Sequence, residues 1–408
     1  MEKIETIIVG GGQAGLATSY HLKQLQREHI VFEQAEQAGY AWRTDRWDSF
    51  TLVLPNWTIQ IPGAHYDGND PDGFLTKAEI IAYFEQYVEQ FDLPVRFNTT
   101  VLEVAPLADG SGYQVKTSGG TYQATNVVIA TGSFQKPKIP AFSANIPADI
   151  LQLHSGHYRN PNQLPEGAVL VVGSGQSGMQ IAEELYQSGR PVYLCIGAAP
   201  RIPRRYRGRD TIGWLVDTGF FGQTVDTLPS PKARLGGNPQ LSGKDGGHSL
   251  SLHQFARDGV TLLGHLAGAQ DGKVLLKPDL KETLAKVDQA EKNIIGMIDR
   301  YIEANGISAP QETVPDLQDG YAAEVITEFD LKAANINTII WAIGYTADYS
   351  LVKLPITDED GFAIQQRGIT QYPGLYFVGM NWLYSRQSTA LLGVNEDVEY
   401  VVAYMTKE

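Results

Sequence analysis

The chain has 408 residues, with 32 Lys and Arg against 46 Asp and Glu, and a single cysteine. Hydrophobic residues at 43% and charged residues at 19% describe an ordinary globular chain, long enough for two or three domains with their own cores. A net charge of −14 leaves no basic surplus for a nucleic acid, the lone Cys195 excludes an intrachain disulfide, and no apolar stretch reaches the ~20 residues of a membrane span.

A cytoplasmic protein is therefore expected, with no cleavable leader ahead of the first apolar run. That run, Ile4 to Val9, meets the turn Gly10-Gly11-Gly12-Gln13-Ala14-Gly15; helix formers continue to about Gln26 and a second apolar run ends at Glu33. A polar, turn-rich stretch (39–73) precedes an amphipathic helix from about Lys77 to Phe91. Val95–Val104 and Tyr113–Thr117 read as strands of a small meander, and Asn126–Ala130 as a buried strand ending at Thr131-Gly132. Prolines in 134–140 and 160–165 mark linkers.

Ala168–Val172 then repeats the opening pattern, followed by Gly173-Ser174-Gly175-Gln176-Ser177-Gly178, a helix closing at Ser188-Gly189, and a strand from Val192 to Ile196. Each block is strand, glycine turn, helix, strand, the unit of a doubly wound sheet. Residues 206–330 read as an insertion. Glycines crowd 208–247, and a long helix follows with Asp279 as its N-cap, apolar positions Leu280, Leu284, Val287, Ile294, Ile298 and Ile302, and Asn305-Gly306 as its stop. Thr338–Ala342 and Gly374–Val378 are further buried strands, each stopping at a glycine, Gly344 and Gly379.

In such a turn the first glycine allows the bend, the second admits a pyrophosphate and the third lets helix and strand pack, so Gly10, Gly12 and Gly15, and Gly173, Gly175, Gln176, Ser177 and Gly178, are expected to hold two dinucleotides. Glu33 lies 23 residues after Gly10, the place of a carboxylate that accepts from a ribose with a free 2′-hydroxyl. The equivalent position after Gly173 is Ile196, followed by Arg201, Arg204, Arg205 and Arg207. Guanidinium forks suit a 2′-phosphate, with Arg201 the first choice; a solvated basic loop is the alternative. The first site is thus expected to hold FAD and the second NADPH, the reductant.

With Ala130-Thr131-Gly132 and Ala342-Ile343-Gly344 standing between and after the two turns, the chain resembles the two-dinucleotide-binding-domain flavoproteins, and within them the flavin-containing monooxygenases (class B type) and their Baeyer–Villiger and N-hydroxylating relatives. Gly39-x-x-Trp42-Arg43 is similar to a flavin-contacting loop of that group, and Gly374–Gly379 with Trp382, Arg386 and Gly393–Asp397 to its C-terminal flavin segment. His154 and Tyr158 match the group's fingerprint, whereas Ala148 and Ile150 replace its phenylalanine and glycine; the pair either organises the interdomain linker or merely packs there.

The resemblance implies an α/β fold of two Rossmann-like domains, the NADPH domain (161–330, insertion at about 206–330) set within the FAD domain (1–160 and 331–408). Cofactor contacts are expected from the two turns, Glu33, Trp42, Arg43, Thr131, Gly132, Arg201, Arg204, Arg205, Gly344, Gly379 and Asp397. It implies oxygenation of a small organic substrate by O₂ through a C4a-(hydro)peroxyflavin: N- or S-oxygenation, a Baeyer–Villiger reaction or oxidative decarboxylation.

Asn56 is the candidate donor near the reacting oxygen, or a turn residue. Arg386 is the candidate anchor for an anionic substrate or a flavin carbonyl, with Trp382 and Tyr384 as its wall. The rivals are an NADPH oxidase or reductase without oxygenation, and a protein that only binds nucleotides. A disulfide reductase is excluded for want of a second thiol. Neither His248 with His253 nor Gly175-Gln176-Ser177-Gly178 has the spacing of a metal site or a nucleophile elbow, so no metal is expected. A homodimer is among the expected assemblies, without nucleic acid or membrane partners.

Overall fold

The computed structural model describes residues 2–407. The opening strand, Glu2–Val9, is the centre of a seven-stranded sheet. It pairs in parallel with His29–Phe32 on one side (Ile7 opposite Ile30) and with Gly120–Ile129 on the other (Ile7 opposite Val127). Val95–Arg96 and Leu375–Phe377 extend it in parallel, while Val101–Pro106 and Tyr113–Thr117 add an antiparallel meander. The central parallel strands are buried on both faces, which is why they read as unbroken apolar runs rather than alternating ones.

A second sheet repeats this plan in five parallel strands, ordered Thr261–Leu263, Val192–Cys195, Ala168–Val172, Ile336–Trp341, Leu151–His154. Its membership moves the expected boundaries. Leu151–His154 and Ile336–Trp341 had been allotted to the first domain, and Thr261–Leu263 to the insertion; all three complete the second sheet. Backbone pairing decides this, because Trp341 lies opposite both Val172 and His154. The chain then returns to the first sheet for Leu375–Phe377.

The expected linker 134–140 meets residues 343–346 in a two-stranded ribbon, Lys136–Pro137 against Tyr345–Thr346. His154 pins this crossing. The Gly156 N–H donates to its Nδ1, so the neutral ring carries its proton on Nε2 and donates to the Gly344 carbonyl at 3.0 Å. Tyr158, fully buried, donates to Glu184 at 2.5 Å.

The long helix spans Leu280–Ala304, and its six expected apolar positions are all buried. Asp279 stands at its N-cap position, as expected, but its side chain does not bond the first turn. Its carboxylate instead accepts from the His265 N–H and meets the His265 ring, both at 2.9 Å, holding a neighbouring turn. Ile294, Ile298 and Ile302 pack with Ile202, Trp214, Leu215, Phe221 and Leu241 into a separate apolar cluster. Among the described residues, no helix is long and apolar enough to cross a membrane.

Candidate dinucleotide clefts and the surface between them

Both glycine turns sit at the carboxyl end of the central strand of their sheet, and their geometry is duplicated. Gly10 and Gly173 have φ of +109° and +103°, and a Cβ on either would approach the carbonyl of Ala130 or Ala342 to 2.7 and 2.6 Å. A Cβ on Gly15 or Gly178 would overlap the carbonyl oxygen of Gly10 or Gly173. Gly12 and Gly175, in contrast, face open space. The two glycines cap helices Gln13–Gln24 and Gln176–Gln187, which have no side-chain cap and no acid in the first turn. Each helix therefore presents uncommitted N–H groups and positive partial charge to an anion.

The clefts differ at the end of the second strand. Glu33 is buried and accepts from the N–H groups of Gly11 (2.6 Å) and Ala35 (2.9 Å), leaving lone pairs on both oxygens for ribose hydroxyls. An open cleft of about 300 Å³, lined by Ala35, Glu36, Tyr40, Arg43 and Asn98, adjoins it. Arg43 pairs with Glu85 at 2.5 Å, yet its Nε is buried without a partner. Trp42 meets Phe50 at a tilt of 46° and lies under Arg46. In the second cleft Ser174 takes the place of Gly11, and its hydroxyl accepts from the Gly197 N–H at 2.8 Å.

The basic run behaves unlike the expectation. Arg201 is 5% exposed, with Nε on Glu291 (2.9 Å), one Nη on Asp288 (3.0 Å) and the other on Ser251 (3.0 Å). Arg204 is gripped by Asp210, donates to the Val53 carbonyl at 2.7 Å and lies 4.6 Å over the Phe74 ring. Neither guanidinium has a face left for a 2′-phosphate; Arg201 holds the long helix, and Arg204 ties the second domain to residues 52–54 of the first. Arg207 is likewise paired, with Asp299. Arg205 is exposed and makes only a long contact, 3.4 Å, to the Gly246 carbonyl.

Asn56 is also redirected. It is buried, its Nδ2 donating to the Asp70 carbonyl (2.9 Å) and its Oδ1 accepting from the Leu75 N–H (2.8 Å). Both polar ends are spent stapling the 70–75 loop, so the turn reading holds and the donor reading does not. Its neighbours Leu54 and Trp57, like Leu392 and Phe220, pack against the apolar cluster of the long helix.

The C-terminal segment wraps the first turn. Gly379 lies against Ala14, and the Gln13 side chain donates to the Thr389 carbonyl. Asp397, in the first turn of helix Val394–Met405, is 1% exposed and one of its oxygens has no partner, a buried acceptor of the kind a flavin hydroxyl would satisfy. Burial, with Glu396 nearby, pushes its pKa up to about 6 against the pull of Ser388 and Arg367. A folded pKa above the ordinary 3.8 means that its contribution to stability is complete below pH ~4 and is lost as pH rises through about 6. Asp397→Asn in the apoprotein is therefore expected to gain on the parent by up to about 3 kcal/mol between pH ~4 and ~7, read as a widening Tm difference.

Arg386 sits where the two domains face each other, between the rings of Phe220 (4.3 Å) and Trp382 (4.8 Å). Residues 219–240 form a strap over it. Val225 donates to the Tyr384 carbonyl (2.8 Å), and Asn381 donates to the Arg234 carbonyl (3.1 Å). The Gln240 side chain reaches Ser174 of the second turn. No local pattern announces this strap, since Tyr384 and Asn381 lie more than a hundred residues downstream and Ser174 lies 66 residues upstream.

Thr131 and Gly132 receive the Gln135 amide, Ser177 is half-buried beside the second turn, and Gly344 closes the ribbon crossing. His248 and His253 each meet a carboxylate brought from afar, Glu183 at 2.7 Å and Asp288 at 3.2 Å. No group of three His, Cys, Asp or Glu able to hold a metal occurs among the described residues. Cys195 is buried and its thiol pKa is pushed up by that burial, the reverse of an activated thiol.

The two sheets with their paired glycine-turn clefts form a two-dinucleotide-binding-domain fold, the fold of an oxidoreductase. Residues 7–209 match the pyridine nucleotide-disulphide oxidoreductase family. The chain is similar to an uncharacterized CzcO-like oxidoreductase of Geobacillus kaustophilus, 33% identical over 98% of this chain and 97% of the relative, and belongs to that CzcO-like oxidoreductase family. The flavin-containing monooxygenase of Stenotrophomonas maltophilia shares the fold, with a TM-score of 0.68 at 19% identity over 100% of this chain and 99% of that one. Indole-3-pyruvate monooxygenase YUCCA6 of Arabidopsis thaliana is 31% identical over 51% of each chain.

Proposed function

We propose that the protein is an FAD-dependent monooxygenase that takes electrons from NADPH and uses O₂ to oxygenate a small organic substrate. The observation that carries this reading is the contrast between two otherwise duplicated clefts. Glu33 stands ready for a ribose in the first, while the second has Ile196 at that position and no acid. The likeness to a monooxygenase fold and to YUCCA6, whose name assigns it indole-3-pyruvate, supports the oxygenase branch. Bound FAD supplies the two-electron reduction and the reaction of its reduced ring with O₂.

The chain's own groups do the rest. Amides at Gly12 and the Gln13–Gln24 helix neutralise the flavin pyrophosphate, helped by Arg43, and Glu33 and Asp397 accept from its hydroxyls. The matching amides at Gly175 hold the NADPH pyrophosphate, with exposed Arg205 the free guanidinium of the run for the 2′-phosphate. Leu54, Trp57, Phe220 and Leu392 exclude water between the clefts, which limits wasteful decay of reduced flavin.

A substrate screen that follows NADPH consumption and peroxide release together tests the reading. Substrates that raise consumption without raising peroxide are expected; consumption matched by peroxide for every substrate would make the enzyme an NADPH oxidase instead. Gly12→Ala gives a second check. Its new Cβ meets nothing in the protein but stands where a pyrophosphate must approach, so a folded, colourless protein with nearly parental Tm is expected. Full flavin content in that variant would remove the first cleft as the FAD site.

A further inference from the structure

Arg386, at the domain interface, has no acid partner among the described residues. Arg201, Arg204 and Arg207 each face at least one carboxylate. The recorded partners of Arg386 are neutral amides, Gln223 Oε1 at 2.8 Å and Asn238 Oδ1 at 3.2 Å, and its Nε is buried with no partner. Burial, unopposed by any acid, holds its pKa below the ordinary arginine value. A half-buried cation left like this is costly unless an anion completes it.

The surroundings narrow the anion. The Phe220 and Trp382 rings lie 4.3 and 4.8 Å from the guanidinium carbon, and the buried Nε is an unsatisfied N–H that a carboxylate would complete. Trp382 is held at φ +55°, a conformation a bulky residue seldom adopts, and the strain is maintained at the spot where its ring completes the slot. A planar carboxylate fits a fork approached edge-on, and the two rings offer walls for a flat apolar body behind it.

Resting on the monooxygenase reading above, we propose that the substrate is a small organic carboxylate of flat, aromatic character, anchored through its carboxylate by Arg386 between Phe220 and Trp382. Phe220, Gln223 and Asn238 all belong to the strap, so the same carboxylate bridges the C-terminal flavin segment and the second domain. The anchoring step is non-covalent and consumes no reductant.

The test titrates FAD-loaded protein with phenylacetate and with its neutral isostere phenylacetamide, following tryptophan fluorescence and the flavin absorbance band. Phenylacetate is expected to bind at least roughly tenfold more tightly than the amide, the scale of a hydrogen bond to a charged group. Arg386→Gln is expected to erase that preference, with Arg386→Lys restoring part of it; circular dichroism confirms that both are folded.

Equal binding of acid and amide, no saturable binding of the acid, or an undiminished preference in Arg386→Gln would each overturn the proposal. A flavin carbonyl already occupying Arg386 would produce the second of these results. Flavin content and reduction by NADPH, measured on the parent protein in the same experiment, keep the two readings apart. A flavin-loaded, NADPH-reducible protein without acid preference sinks the carboxylate anchor alone, whereas a flavin-free protein sinks the monooxygenase reading.

Discussion

Arg201→Ala is expected to lower stability by about 3–5 kcal/mol, the cost of breaking a buried ion pair from one side. Among the described residues the guanidinium is the only cation in an ion pair with Glu291, whose burial already outweighs the Arg201 attraction and holds its carboxyl above the usual range. Asp288 fares better, keeping His253 and the Tyr321 hydroxyl at 2.7 Å. Urea denaturation measures the loss. Arg201→Met combined with Glu291→Met is expected to recover part of it, because the stranded carboxylate goes too. The ratio of NADPH to NADH affinity is expected to stay unchanged in whatever Arg201→Ala protein folds; a selective loss of NADPH would return Arg201 to the phosphate site, against the pairing seen here.

Gly178→Ala is the second large effect. The new methyl would be driven into the Gly173 carbonyl, the tightest helix–strand approach in the second cleft, and Gly15→Ala repeats the clash at Gly10. Neither neighbour is a flexible side-chain end, so relief requires the helix to lift off its strand. A loss of about 3 kcal/mol or more is expected, at the upper end for overpacked sites, together with loss of the dinucleotide on that side. Gly175→Ala, whose Cβ meets nothing within the protein, is expected to keep its Tm and lose only the nucleotide. Thermal denaturation of the two variants side by side separates packing from binding. Equal Tm values would mean that the third glycine is not needed for close packing.

Much of the fold was legible because it is local. A strand, a glycine turn, a helix and a second strand occupy about thirty residues, and the steric demands on Gly15 and Gly178 arise within that span, while Gly10 and Gly173 are also crowded by the distant carbonyls of Ala130 and Ala342. The position of Glu33 could be counted from Gly10, and the amphipathic face of Leu280–Ala304 could be read from its spacing. The strand Thr261–Leu263 was missed because three residues carry too little pattern to separate an edge strand from an insertion. Asp279 takes the N-cap position its spacing predicts, but its carboxylate bonds His265, because a capping motif states which groups are near, not which of several donors wins.

The amino-acid order alone determined that there are two dinucleotide turns and that only the first has an acid at the right distance, since each of these is a relation among neighbours along the backbone. Only the tertiary structure decided what the charged and amide side chains do. Arg201 meets Glu291 across 90 residues and Arg386 meets Gln223 across 163. A charge in the sequence is a promise to whichever partner the fold brings within hydrogen-bond reach. In this chain packing gave Arg201 and Arg204 to protein acids, and Asn56 to a loop, while leaving the buried Nε of Arg386 without a partner among the described residues.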